Sequence, residues 1–207
     1  MWLWWDVRRA PSERRLSTAG AHSGLAAIVG VALTAPLFAG WRTVTAIANL
    51  ASRQGWASGA RLVARGAESV GSTLGGSGTG SALRTAAYAA FLALFVLGLL
   101  RLLRRTATSA TPAEVWGVSL LLFALAAPYL LPWYAAWFVT FLALMSDEGL
   151  ARIGLAATAL MALSGIPAEP APDPALWRGM ILAVHYTLAP VMLGLFALAA
   201  RRVLRRS

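Results

Sequence analysis

The chain has no cysteine and no lysine, and only 13% of its residues are charged. Without cysteine it can form no disulfide, no thiol nucleophile and no thiolate metal site. The two histidines, His22 and His185, stand too far apart in sequence to read as a metal-ligand pair, so no metal is expected. The Gly-rich run Gly71–Gly80 lacks the Gly-Lys-Ser/Thr ending and the preceding strand of a phosphate loop, so no nucleotide cofactor is expected either. Carboxylates are scarce: eight Asp and Glu face 18 basic residues, all arginine, for a net charge of +10. In a soluble domain that excess would point to nucleic acid. Here 58% of residues are hydrophobic and the mean hydropathy is +0.66. That composition belongs to integral membrane proteins, and the arginines flank apolar runs as topology signals do, so no nucleic-acid partner is expected.

What is abundant is apolar sequence, in runs long enough to predict an all-α, polytopic membrane protein of about six transmembrane helices with one interfacial helical segment. The expected spans are 20–40, 82–103, 114–131, 133–145, 150–164 and 176–200. Residues 41–81 mix apolar positions with arginines and predict interfacial helices ending in a flexible Gly-rich linker. Residues 165–175 hold four prolines and predict a stiff extended loop. Segments 1–19 and 201–207 are basic and, with Arg101, Arg104, Arg105 and Arg152, predict cytoplasmic termini. The chain is then a single membrane domain of the bacterial plasma membrane, in contact with lipid.

One stretch interrupts this pattern, Pro128-Tyr129-Leu130-Leu131-Pro132-Trp133-Tyr134-Ala135-Ala136-Trp137. Pro128 ends the helix before it and Pro132 is suited to the first turn of the next, so two spans meet at almost no distance. Trp133, Tyr134 and Trp137 gather on that first turn, where amphipathic rings favour the water–lipid boundary. An aromatic belt is the plain reading; the clustering with proline points to a site. Outside the membrane lie Arg53 and Arg61, whose guanidinium forks match phosphate oxygens, although arginines on an interfacial helix are equally read as solvated charges. His185 and Tyr186 fall within the sixth span, where polar side chains are costly. Interhelical packing accounts for them as well as function does.

The segment Ala-Pro-Tyr-Leu-Leu-Pro-Trp-Tyr-Ala-Ala-Trp at 127–137 resembles the Pro-Trp-Tyr turn of C-type (GT-C) polyprenol-phosphate-sugar-dependent glycosyltransferases, in particular the actinobacterial alpha-1,6-mannopyranosyltransferases. Leu33–Trp41 and the segment after it look like the span and periplasmic helix of the same enzymes. The resemblance implies a mannosyltransferase that takes its sugar from a polyprenyl-phosphate donor and passes it to a glycolipid or glycan acceptor on the external face. Pro132, Trp133, Tyr134, Trp137, Arg53, Arg61, His185 and Tyr186 would then form the substrate site. The family's acidic residue lies nearer its N-terminus than anything matched here, and Glu68, Glu169 and Asp173 do not stand in its context. By resemblance the chain is therefore the C-terminal half of such an enzyme, either a fragment or one part of a split enzyme that works with a separate N-terminal half, and has no assigned catalytic residue. The competing class is a non-catalytic structural membrane protein or a small transporter subunit. No embedded carboxylate or internal repeat supports the transporter.

Overall fold

The computed structural model describes residues 7, 10–35, 40, 42, 45, 57–105, 111–165 and 173–205. Among them every regular element is helical. The helices are α1 (Arg15–Thr34), α2 (Gly59–Arg105), α3 (Pro112–Ala126), α4 (Ala135–Leu142), α5 (Glu148–Ser164) and α6 (Pro174–Arg205), with 3-10 turns at Ser12–Arg14 and Pro132–Tyr134.

The Gly-rich stretch is helix, which corrects the expected flexible linker. Helix α2 runs 47 residues but carries one non-helical residue, Gly76, at φ 81° and ψ −176°, a region in practice reserved for glycine. There the chain folds back on itself. Arg84 Nη1 reaches Glu68 Oε1 at 2.8 Å, a pairing 16 residues apart in sequence that a straight helix would hold well out of reach. A Cβ on Gly71 would stand 2.9 Å from the Cα of Gly80, and one on Gly80 2.7 Å from the carbonyl oxygen of Glu68. The glycines are therefore the contact surface of a helical hairpin, since only small residues let two backbones approach so closely. Its arms are 59–75 and 77–105.

The second arm runs parallel to α6. Phe91 packs on Phe196 with ring centroids 5.1 Å apart, and two turns further along both helices a Cβ on Gly98 would lie 3.9 Å from Val203. Helices α3, α4 and α5 fill the space beside this pair around a core of Leu121, Leu122, Phe138, Met161 and Met192, all buried. Helix α4 wedges between its neighbours where Gly117 faces Phe141 and Gly154 faces Leu142. Helix α1 packs against the 3-10 turn before it, and Leu16, Leu25, Ile28 and Val31 along it are exposed.

Two helices, α2 and α6, are long and apolar enough to cross a membrane. The other expected spans come out shorter or less apolar. Segments 114–131, 133–145 and 150–164 form helices of 15, 8 and 17 residues, because Pro128 and Pro132 stop the first and delay the second while the Asp147 cap starts the third. The first span, placed at 20–40, begins already at Arg15 as a 20-residue helix whose Ser17, Thr18, His22 and Ser23 dilute its apolar character. Most of 41–56 and the proline-rich loop, 166–172, lie outside the described residues.

Helix direction sorts the molecule into two ends. At one end gather Arg101 and Arg104 of α2, Glu114 of α3, Glu148 and Arg152 of α5, and Arg201, Arg202 and Arg205 of α6. Ser146 Oγ donates to Glu114 Oε1 at 2.7 Å there, joining the ends of two hydrophobic segments. At the other end lies the Pro128–Trp137 break.

Candidate functional site

The break is built by backbone chemistry. Thr111 and Pro112 start α3 in the usual way, the threonine hydroxyl accepting from Glu114 N at 3.2 Å. The helix stops because Ala127 precedes a proline and is pushed to the extended conformation, ψ 135°. Leu130 and Leu131 turn inward and are buried, and a Cβ on Gly165, at the end of α5, would stand 3.1 Å from Pro132 Cγ. The turn is thus clamped between the core and α5. A single 3-10 turn, Pro132–Tyr134, then leads into α4.

Its rings form a row. Tyr129 meets Tyr134 edge-on at 6.0 Å, Tyr134 stacks on Trp137 at 4.2 Å, Trp137 on Phe123 at 6.2 Å, and Phe123 meets Phe95 of α2 edge-on at 5.8 Å. Such pairs add about 0.5–1.5 kcal/mol each beyond area burial. The row holds Trp137 and Tyr134 against the protein, while Trp133 projects, 59% exposed. Of the three aromatics expected on this turn, Tyr134 and Trp137 stack on each other, Trp137 still 41% exposed, and Trp133 is presented to the surroundings.

Arg61 is brought to this region by a bond that joins distant parts of the chain. Buried Ser58 donates to the carbonyl of Ala127, the last residue before the break, at 2.7 Å, and accepts from Arg61 N at 3.2 Å. It caps the first arm of α2 and ties that arm to the break in one hydroxyl. Gly59 beside it lets the arm touch α6, where a Cβ would meet the Leu193 backbone at 2.8 Å. Arg61 is half-buried. It remains a cation at neutral pH, now partly stripped of water.

His185 and Tyr186 sit about 12 Å further along α6 than Leu193, on the side away from the arginine end. His185 is buried and its ring meets that of Tyr186 edge-on at 5.1 Å, while Tyr186 is 67% exposed. From the crossing at Gly59 and Leu193, the Arg61–Arg65 stretch and the His185–Tyr186 stretch both run away from the arginines. The structure therefore groups Pro132, Trp133, Tyr134 and Trp137 at the break, ties the backbone of Arg61 to it through Ser58, and leaves His185 and Tyr186 beyond it. Arg53 and Glu169 lie outside the described residues.

Sequence reading missed Ser58, Tyr129 and Phe123. A serine before Gly-Ala is a helix-start signal and could have been noticed; its partner 69 residues away could not. Among the described residues no three His, Asp or Glu side chains converge as metal ligands would. No protein-family model matches the chain, and neither the curated proteins nor the solved structures contain a significant match to it.

Proposed function

We propose that the chain is a multi-pass protein of the bacterial plasma membrane and forms the C-terminal portion of a glycosyltransferase. That enzyme transfers a sugar, mannose, from a polyprenyl-phosphate donor to a glycolipid or glycan acceptor on the external face. The observation that carries the reading is the Ser58–Ala127 bond, which ties the helix start bearing half-buried Arg61 to the aromatic break. Arg61 would face the donor phosphate, where a guanidinium fork is worth more than in open water. Exposed Trp133 offers a flat apolar face to an isoprenoid or a pyranose ring.

Six arginines, Arg101, Arg104, Arg152, Arg201, Arg202 and Arg205, lie at one end and support a membrane orientation with that end cytoplasmic. Helices α3 and α5, with 15 and 17 residues, are about 22 and 25 Å long. They would bring the break to the far boundary of a hydrocarbon core of about 30 Å. His185 lies a similar distance from Arg202 along α6, about 25 Å, so in this reading it belongs at the outer boundary rather than mid-membrane.

No base is assigned within the described residues. Glu68 is paired with Arg84 at 2.8 Å, and Asp173 Oδ1 accepts from Ala175 N at 2.8 Å as the cap of α6. Those two engagements favour the second reading, a non-catalytic membrane subunit. Donor binding separates the two. Purified chain is incubated with radiolabelled mannosyl polyprenyl phosphate, and the retained label is measured for the parent, for Trp133→Ala/Tyr134→Ala and for Arg61→Gln. Each variant should lower retention about tenfold, the size of one lost charge-assisted bond or stacking face. Equal retention by all three sinks the transferase reading. Transfer to acceptor should appear only when an N-terminal half is co-expressed.

A further inference from the structure

At the end opposite the break, α5 and α6 flank an open cavity of about 630 Å³ lined by Arg152, Arg201, Arg202 and Arg205, with one carboxylate among the described residues, Glu148. Ordinary topology-setting arginines splay into water, and a cluster on one helix end needs no ligand. These are organised differently. Arg202 is held from behind: its Nε lies 3.1 and 3.2 Å from the two oxygens of Asp147, whose side chain is 1% exposed. Asp147 is fixed in turn, because it caps α5 by accepting from Gly149 N at 2.8 Å and Leu150 N at 3.2 Å. Any side chain at Gly149 would overlap the Arg202 guanidinium, so the glycine is part of the arrangement. Glu148 is paired with Arg152 at 3.0 Å, which leaves the cavity strongly cationic.

The floor has the opposite chemistry. Ile153 and Leu198 line the same cavity, and the outer faces of the two helices continue with exposed Leu155 and Val191. A soluble anion would gain nothing from that apolar continuation, whereas a lipid would lay its acyl chains along it. We infer that this cavity binds the phosphate headgroup of an anionic phospholipid, with Arg201, Arg205 and Arg152 contacting the phosphate and Arg202 forming the fixed wall. The guanidinium geometry suits phosphate oxygens, and basic pockets between helices near a membrane surface recognise anionic headgroups in this way. The site is separate from the aromatic break and depends only on the membrane part of the functional reading.

The experiment uses the full chain purified in neutral detergent, with dioleoylphosphatidylglycerol as probe and dioleoylphosphatidylcholine as reference, and reads bound lipid by native mass spectrometry. The parent should retain phosphatidylglycerol selectively. Arg152→Gln/Arg201→Gln/Arg205→Gln should weaken retention on the order of 10- to 100-fold, because each arginine near a headgroup contributes about 1 kcal/mol. Arg14→Gln/Arg15→Gln/Arg65→Gln removes the same charge away from the cavity and should leave retention unchanged. Equal loss in both triple variants would reduce the effect to net charge and overturn the site. Displacement of the lipid by millimolar inorganic phosphate would overturn the lipid assignment in favour of a soluble anion. Extraction of the chain from membranes by alkaline carbonate tests the membrane reading by itself. A chain that washes off while the first triple variant still loses lipid selectively separates the two outcomes.

Discussion

The two ends of the helical bundle are held by different forces. At the arginine end the parts are joined by charged and polar contacts between segments: Asp147 to Arg202, and Glu114 to Ser146. At the aromatic end they are joined by shape: a row of rings, a proline seated on Gly165, and one buried hydroxyl bond from Ser58 to Ala127. Charge is directional and tolerates water, so the first end can stay open around a cavity. Ring stacking and close backbone contact exclude water from the inner side of the second end, while Trp133 and Trp137 keep part of their rings exposed. The lesson is that a basic end need not be mere orientation signal, and an aromatic end need not be mere belt, once each is seen to be braced from inside.

The comparison breaks most severely at Asp147. Asp147→Ala removes a cap, worth about 1 kcal/mol, and leaves Arg202 without its anchor, a charged hydrogen bond worth about 1.5 kcal/mol after allowance for the half-exposed arginine. A loss of about 2–3 kcal/mol is expected in detergent unfolding, with lipid retention at the cavity lost as well. A variant as stable as the parent would mean that the arginine end is not charge-braced.

Gly76→Ala comes next, because φ 81° with ψ −176° costs a residue bearing a Cβ about 1–3 kcal/mol. The damage should fall on the aromatic end, since the first arm carries Ser58 and Arg61. Donor binding should therefore drop with stability, while phosphatidylglycerol retention at the other end stays near that of the parent. Loss of both would show that the ends are mechanically coupled.

How much of this could be read in the residues depends on the range of the force involved. Pro128 stopping α3 and Pro132 opening the next turn are local backbone effects, and each stands where sequence placed it. The all-helical character followed from apolar run length. The Gly71–Gly80 hairpin was read as a linker because composition registers glycine as freedom, while its use as a contact surface depends on what the other arm brings to it. Six full spans are not shown, since the same prolines that were read correctly shorten α3 and α4. Within the candidate site, Trp133, Tyr134 and Trp137 were legible as a cluster. Which of them is braced and which projects depended on Phe123, Tyr129 and Phe95, separated along the chain and joined only by packing.

Ser58→Ala is a gentler probe of the aromatic end. It removes one buried bond and leaves the Ala127 carbonyl to find another donor, for an expected cost of about 1 kcal/mol. Its value is that the rings are untouched: if donor retention falls as it does for Arg61→Gln, then the placement of Arg61 and not the aromatic surface alone limits binding. Retention equal to that of the parent would leave the aromatic face as the sole contributor.

The smallest effect is expected from Glu148→Gln, and its sign is informative. The pair with Arg152 at 3.0 Å joins two side chains that are 82% and 80% exposed, a geometry worth at most about 0.5 kcal/mol. Stability should hardly move in the unfolding midpoint. Yet Glu148 is, among the described residues, the single carboxylate lining the arginine cavity, so neutralising it releases Arg152 and raises the local positive potential. Phosphatidylglycerol retention should then rise by a few fold at constant stability, and the gain should shrink in high salt because exposed charges are screened within about 10 Å at 0.1 M. Weaker retention would mean that Glu148 holds Arg152 in its binding orientation and not away from it. Either direction separates a cavity that reads charge from an end that merely carries it, which the larger losses at Asp147, mixing stability with binding, cannot do.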